Sequence, residues 1–449
     1  MKKEEIKIEL PAKVNYILKL LWEKGYEAYI VGGCVRDSIL GRKPEDWDIT
    51  TSAKPEEVKR IFSHTIDTGI QHGTVTVMIE KEGFEVTTYR IDGKYEDGRH
   101  PTKVTFTPSL EEDLKRRDFT INALAYQEKT GLVDLFDGLG DIENQIIRCV
   151  GVAEERFSED ALRMLRAVRF GAQLGFKIEK NTKEAIKKLS INLTKISVER
   201  IQMELVKILI SKQPERIVEA YETGLTGVFL PEFDLAMQTG QNNPHHRYSV
   251  GEHIVESVKM VSPNRILRLT MLLHDIAKPE KKTTDEEGID HFYGHAQRSA
   301  ELSRKILRRL KFDNDTIRKV SHLVEFHDDN PEPTKKNVRR LLYRVGKEYF
   351  QDYLEVQYAD TMAQSDYKRV EKLAAIEKYK NYYEEIQRQN ECVSLSDLSV
   401  TGADLLGLGI PAGKKIGEIL NGLLDVVLEN PEMNQKDLLL QMAGKFVKE

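Results

Sequence analysis

Apolar residues at helical spacing (Ile17, Leu18, Leu21, Trp22) predict a helix within residues 4–25, closed by Gly25. Short apolar runs then predict strands near 28–32, 47–51, 74–80 and 84–91, the last two joined by the turn Lys81–Gly83. Between them, a helix near 55–62 starts behind Pro55. Residues 92–110 carry Asp92-Gly93, Asp97-Gly98, Pro101 and Pro108 and read as a long loop, a feature that in a compact domain usually serves function. From about residue 153 the apolar period becomes helical: 154–172, 181–189, 197–211 and 214–223, then 245–330, 335–388 and 413–445. The pattern predicts an α+β N-terminal head, a small mixed sheet with helices, followed by an all-helical neck and body.

At 449 residues the chain is too long for a single core. Its charged fraction of 31% suits a helix-rich globular protein, and the net charge of −5 requires any RNA partner to meet a local basic face. Three scattered cysteines (Cys34, Cys149, Cys392) lack metal-ligand spacing and fit a reducing compartment. The N-terminus MKKEEIKIEL has no apolar signal core and no run reaches membrane-spanning length, so the expected location is cytoplasmic.

The stretch from Tyr29 to Thr50, YIVGGCVRDSILGRKPEDWDIT, carries the first chemistry. Gly32-Gly33 lets backbone N–H groups approach an anion. Asp46 and Asp48, two apart on an expected strand, place two carboxylates on one face, where they repel unless a divalent cation of the Mg²⁺ type lies between them. Glu85, in FEVTTYR on a neighbouring strand, is the candidate third carboxylate of a two-metal site. The stretch resembles the signature of the nucleotidyltransferase superfamily, in the version found in class II tRNA nucleotidyltransferases and bacterial poly(A) polymerases.

Further segments follow in that family's order. RRDFTINA (116–123) is similar to its second motif, which implies that Arg117, Asp118 and Asn122 contact ribose and triphosphate together with Gly32, Gly33 and Arg36; Asp118 and Asn122 are expected one helical turn apart. LFDGLGDIENQIIR (135–148) resembles the third motif, joining head and neck, and SVERIQMEL (197–205) the fifth, read as packing. EDALRMLR (159–166) places Asp160 and Arg163 on one expected helix face. A carboxylate accepts and a guanidinium donates, so this pair satisfies the amino donor and ring-nitrogen acceptor of cytosine or adenine and mismatches uracil and guanine. The resemblance assigns the pair as a protein template for CTP and ATP, with Arg166 in support.

Two stretches separate CCA addition from poly(A) addition. DTGIQHGTVTVMI (67–79) stands where poly(A) polymerases carry a basic Gly-Arg-Arg-Phe-like segment, and the loop 89–106 is complete, which in the family accompanies A-capable enzymes.

Residues 245–360 hold most of the histidines. His253, the adjacent His274-Asp275, and Asp360 resemble the HD phosphohydrolase pattern, with His295 and His327 as ligands for a second metal; that resemblance implies a divalent transition metal or Mg²⁺ and phosphoester hydrolysis. His245, His246, His291 and His322 read as structural. The clusters Arg304–Arg309 and Lys335–Arg340, and the Gly413-led segment of the tail, are candidates for contact with a tRNA backbone.

The expected division is a nucleotidyltransferase head (1–152), a helical neck carrying the nucleotide-selecting helix (153–235), an HD domain (236–370) and a helical, tRNA-binding tail (371–449). The expected partners are the tRNA 3′ end, CTP and ATP, with no membrane and the oligomeric state open. The rival readings are a poly(A) polymerase, an enzyme adding only the terminal A, and an HD hydrolase or RNA-binding protein with an inert head.

Overall fold

The computed structural model describes residues 3–93 and 104–446, so the middle of the 89–106 loop, residues 94–103, lies outside the described residues. Contacts group the chain into two compact units, residues 1–231 and 232–449.

The first unit opens with α1 (Ala12–Glu23), which starts behind Pro11 and buries Val14, Ile17, Leu18 and Leu21 along one stripe. Its head contains β1 (Ala28–Val31), α2 (Gly33–Ile39), β2 (Ile49–Thr51), α3 (Pro55–Ile61), β3 (Thr65–Gly69), β4 (Thr74–Ile79) and β5 (Glu82–Thr88). There follow β6 (Arg90–Asp92) paired with β7 (Val104–Phe106), then α4 (Leu110–Lys115), β8 (Leu124–Gln127), β9 (Gly131–Asp134) and α5 (Gly138–Glu143). One seven-stranded sheet has the order β3-β4-β5-β2-β1-β8-β9. All four residues of β1 are buried, as a central strand demands. It runs antiparallel to both β2 and β8, while β2 and β5 are parallel with Ile49 opposite Val86.

Three strands of this sheet, β3, β8 and β9, lie outside the predicted strands, as does β7 in the predicted loop. In β8 every side chain of LAYQ is buried, so the alternation that marks a half-exposed strand is absent. The predicted helical turn over 118–122 is instead a bend followed by a 3₁₀ turn at Thr120–Asn122 leading into β8. The helix expected over 154–172 breaks in two, α6 (Ala153–Glu159) and α7 (Leu162–Leu174). Asp160 adopts extended φ/ψ of −138° and 104°, and its carboxylate accepts from Leu162 N at 3.0 Å, restarting the helix. The unit continues with α8 (Lys180–Leu189), α9 (Val198–Leu209), α10 (Ile217–Glu222) and α11 (Thr226–Phe229).

The second unit is helical: α12 (Pro231–Met237), α13 (Val250–Met260), α14 (Arg265–Leu273), α15 (Lys278–Lys281), α16 (His295–Arg309), α17 (Asn314–Phe326), α18 (Lys335–Val345), α19 (Phe350–Ala363), α20 (Arg369–Arg388), α21 (Gly402–Gly407), α22 (Lys414–Glu429) and α23 (Lys436–Phe446). One of its cores gathers residues of α18, α19, α20 and α22 around Leu341, Phe350, Tyr379 and Leu423. No described helix is long and apolar enough to cross a membrane.

Candidate active site

Asp46 and Asp48 lie just ahead of β2 in an extended lead-in that already pairs with β1, Asp48 O accepting from Val31 N at 3.0 Å. Because Ile49 faces Val86 across parallel strands, one step back along both brings Asp48 beside Glu85. All three carboxylates line one cavity of about 350 Å³ with Thr76, Gly83 and Phe84. Partial desolvation on the cavity wall, then the charge of Asp48 and Asp46, pushes the Glu85 carboxyl up from its ordinary value. Asp48 is also raised, chiefly by burial and with Asp46 adding to it, although Arg117 opposes. Concentrated negative charge of this kind fits a divalent cation, whose own charge would offset the repulsion. Among the described residues these three are not one of the groups whose ligand atoms all lie within 4.8 Å of one another, so a cation would have to draw them inward.

A second cavity of about 490 Å³ shares Glu45, Asp46 and Asp48 with the first. Its other walls include Arg36, Arg42, Lys43, Arg169, Lys207 and Lys212, with Asp37 paired to Arg36 at 2.9 Å. The two aspartates therefore stand between an acidic cavity and one where cations outnumber carboxylates. Gly32 caps α2 with φ +80°, and a Cβ there would sit 3.1 Å from Arg117 Nη1, so both backbone and space require glycine.

The second-motif residues form a chain of hydrogen bonds. Arg36 Nη1 donates to Asn122 Oδ1 (2.6 Å), Asn122 Nδ2 to Asp118 Oδ1 (3.2 Å), and Arg166 Nε to Asp118 Oδ2 (2.7 Å). Burial alone would raise the Asp118 carboxyl, but Arg166 and Arg163 override it and hold it near 2. Arg36, Arg166 and Arg169 all stack against the Phe170 ring, with the Arg169 guanidinium 4.0 Å from its centroid.

Asp160 and Arg163 do not share a helix and do not pair. Arg163 is bound to Glu159 Oε2 at 2.6 Å and to the Arg156 and Arg116 carbonyls, whereas Asp160 is bound to Arg200 Nη2 at 2.7 Å. The α9 segment read as packing thus supplies Arg200, and also Glu204, whose carboxylate meets Arg169 Nε at 2.6 Å. Arg169 and Arg200 were missed. Arg169 had a signal, since Arg163, Arg166 and Arg169 recur every third residue on α7. Arg200 lies 40 residues from its partner and had none.

The histidine region gathers as its pattern suggested. Ligand atoms of His253 (α13), His274 and Asp275 (after α14) and Asp360 (α19) lie within 4.8 Å of one another, as do those of Asp275, His295 (α16) and His327 (after α17). His274, His295 and His327 place Nδ1 at 2.7, 2.8 and 2.7 Å from backbone carbonyls, which only accept, so Nδ1 carries a proton in each ring and Nε2 faces the centre; burial opposes charge on His274, but Asp275 and Asp360 raise its pKa to about 10. Asp275 is fully buried between them and Lys278, whose Nζ lies 2.7 Å from Oδ2. Burial opposes charge on Asp275, but His274 and Lys278 hold its carboxyl well below the usual range. The donor set fits divalent metal. By contrast, the basic clusters are largely engaged within their own unit. Lys335 and Arg339 pair with Glu391, Lys336 with Glu429, Arg304 with Glu325 and Arg309 with Glu232. These pairings compete with contact to a nucleic-acid backbone.

Sheet, glycine turn and acidic cavity define a nucleotidyltransferase with a helical body. The chain matches the "Poly A polymerase head domain" over residues 28–148, the "Probable RNA and SrmB- binding site of polymerase A" over 175–237, and tRNA nucleotidyltransferase domain 2 over 280–443. It is 37% identical to the CCA-adding enzyme of Ligilactobacillus salivarius over 99% of this chain and 98% of that one. The CCA-adding enzyme of Lactiplantibacillus plantarum matches at 37% over 97% of each chain. The structure of the Bacillus stearothermophilus CCA-adding enzyme in complex with CTP superposes with a TM-score of 0.73 at 32% identity, covering 97% of both chains. The chain belongs to the CCA-adding enzyme family. As a nucleotidyltransferase of that family, it is expected to use divalent metal.

Proposed function

We propose that the chain adds C, C and then A to the 3′ end of tRNA from CTP and ATP without a nucleic-acid template. The observation that carries this is the shared wall of the two cavities, which puts Asp46 and Asp48 between Glu85 and a set of cationic side chains. Asp46, Asp48 and Glu85 are the residues to hold Mg²⁺, which when bound stabilises charge on the transferring phosphoryl group. Gly33, Arg36 and Arg169 receive the triphosphate, and Asp118 and Asn122 fix Arg36 and Arg166. The RNA 3′-hydroxyl oxygen then attacks the α-phosphorus and pyrophosphate departs. Asp160 and Arg163 read the base. Full-length similarity to CCA-adding enzymes supports this reading over a poly(A) polymerase, an A-only enzyme or an inert head.

Within this reading the four-part division, with a tail against tRNA, refines the two compact units. A cytoplasmic location follows from the tRNA substrate. Incubation with tRNA lacking its CCA end, with CTP alone, ATP alone and both, tests the function. Two added cytidines with CTP and a following A with both are expected, and Asp46→Ala, Asp48→Ala should lower incorporation about 10³-fold or more. Long A tracts without C incorporation would refute it.

A second reading rests on the buried Asp275 among four imidazoles. His253, His274, Asp275 and Asp360 are the residues for one divalent ion, Asp275, His295 and His327 those for another, and the chemistry such ions supply is phosphoester hydrolysis.

A further inference from the structure

Base selection through Asp160 and Arg163 requires both side chains to hold fixed directions, since a hydrogen bond weakens steeply once its donor and acceptor swing out of line. Arg163 is fixed by its own neighbours. Of the five N–H groups of a guanidinium, three go to Glu159, Arg156 O and Arg116 O. Nε–H and one Nη2–H remain, matching the ring nitrogen and the neighbouring carbonyl of cytosine.

Asp160 has less local support, a single contact from Leu162 N. It sits at the break between α6 and α7 in extended conformation, where its side chain would turn about χ1 and χ2. Two contacts fix it: Leu162 N to Oδ1 (3.0 Å) and the Arg200 fork, Nη2 to Oδ2 (2.7 Å) and Nη1 to Oδ1 (3.5 Å). Arg200 reaches across from the first turn of α9, and its side chain is 19% exposed against 15% for Asp160. A carboxylate has about four acceptor sites, and these contacts leave one for an incoming amino group.

We propose that Arg200 is a specificity-determining positioning residue: it clamps the Asp160 carboxylate so that its remaining acceptor site meets the amino group of cytosine or adenine. The proposal rests on Asp160 and Arg163 being the base readers. The selecting unit is then four side chains, Glu159 holding Arg163 and Arg200 holding Asp160, drawn from two helices and the break between them. Arg200 lines neither the acidic nor the cationic cavity, so its effect falls on discrimination and leaves triphosphate binding alone.

The test uses the full chain and tRNA lacking its CCA end, with kcat and KM measured separately for CTP and UTP. The variants are Arg200→Met, Arg200→Gln, Arg200→Lys and Asp160→Ala, and thermal unfolding is recorded alongside. Arg200→Met and Arg200→Gln should reduce the preference for CTP over UTP by about tenfold or more, with KM for CTP within about twofold of the parent. Arg200→Lys, which keeps one charged donor, should recover part of the preference. Asp160→Ala losing discrimination while both Arg200→Met and Arg200→Gln keep it overturns the clamp. Lowered kcat for both nucleotides alike, with a lowered unfolding midpoint, also overturns it, because that marks a merely structural residue. Asp160→Ala with unchanged discrimination overturns the base-reading assignment itself.

Discussion

Glu204→Gln probes whether Arg169 faces the triphosphate. Arg169 and Glu204 are 8% and 4% exposed and meet at 2.6 Å. Removing one member of such a buried pair costs about 3–5 kcal/mol. Glutamine keeps the volume and a carbonyl acceptor, so the loss falls to about 2–3 kcal/mol, the worth of a hydrogen bond to a charged group. For a domain of this size each kcal/mol moves the midpoint by about 2–4 °C, so the variant should unfold about 4–12 °C below the parent.

The second half of the prediction has the opposite sign. Arg169 lines the cationic cavity, and with Glu204 neutralised its charge is left to an incoming phosphate. Saturating CTP should therefore raise the midpoint more in Glu204→Gln than in the parent, by about 1 kcal/mol or roughly 2–4 °C. Differential scanning calorimetry with and without CTP reads both effects. An equal or smaller CTP-induced rise in the variant would refute the placement of Arg169 at the triphosphate. An unchanged midpoint without nucleotide would refute the energetic importance of the ion pair.

Gly32→Ala should cost about 1–3 kcal/mol in backbone strain at φ +80°, ψ −127°, and by displacing Arg117 should raise KM for CTP; a variant with parental kinetics would contradict the tight turn. His274→Ala should lose at least one tightly held divalent ion per chain by elemental mass spectrometry after dialysis, with CTP incorporation unchanged, and equal metal content would exclude the histidine centre as a metal site. Glu85→Gln should leave thermal stability within about 1 kcal/mol, because Glu85 is exposed along β5. It should lower kcat for CTP and ATP together, and a loss confined to one nucleotide would argue against a role at the shared metal.

Much of the head was legible because its signals are local. Gly32-Gly33, Asp46 and Asp48 lie within 17 residues, and the β1 and β2 runs around them bury continuously. The helical body announced itself through its period, and the six clustered histidines and aspartates through residue type, since buried groups of that kind need partners. The Asp160–Arg163 spacing implies one shared helix face, and the structure breaks the helix between them. Helical periodicity runs through it without interruption, and nothing in the periodicity reveals that the Asp160 carboxylate would cap a new helix at Leu162.

The sequence by itself determined which groups are present, the order of strand, turn and helix, and therefore the class of chemistry. Tertiary structure decided who partners whom. Parallel pairing of β2 with β5 brings Glu85 to Asp48, and the packing of α9 against α7 gives Glu204 to Arg169 and Arg200 to Asp160. Periodicity reports the faces of one element at a time. Contacts between elements 35 to 40 residues apart depend on strand register and helix packing, which only the assembled core fixes.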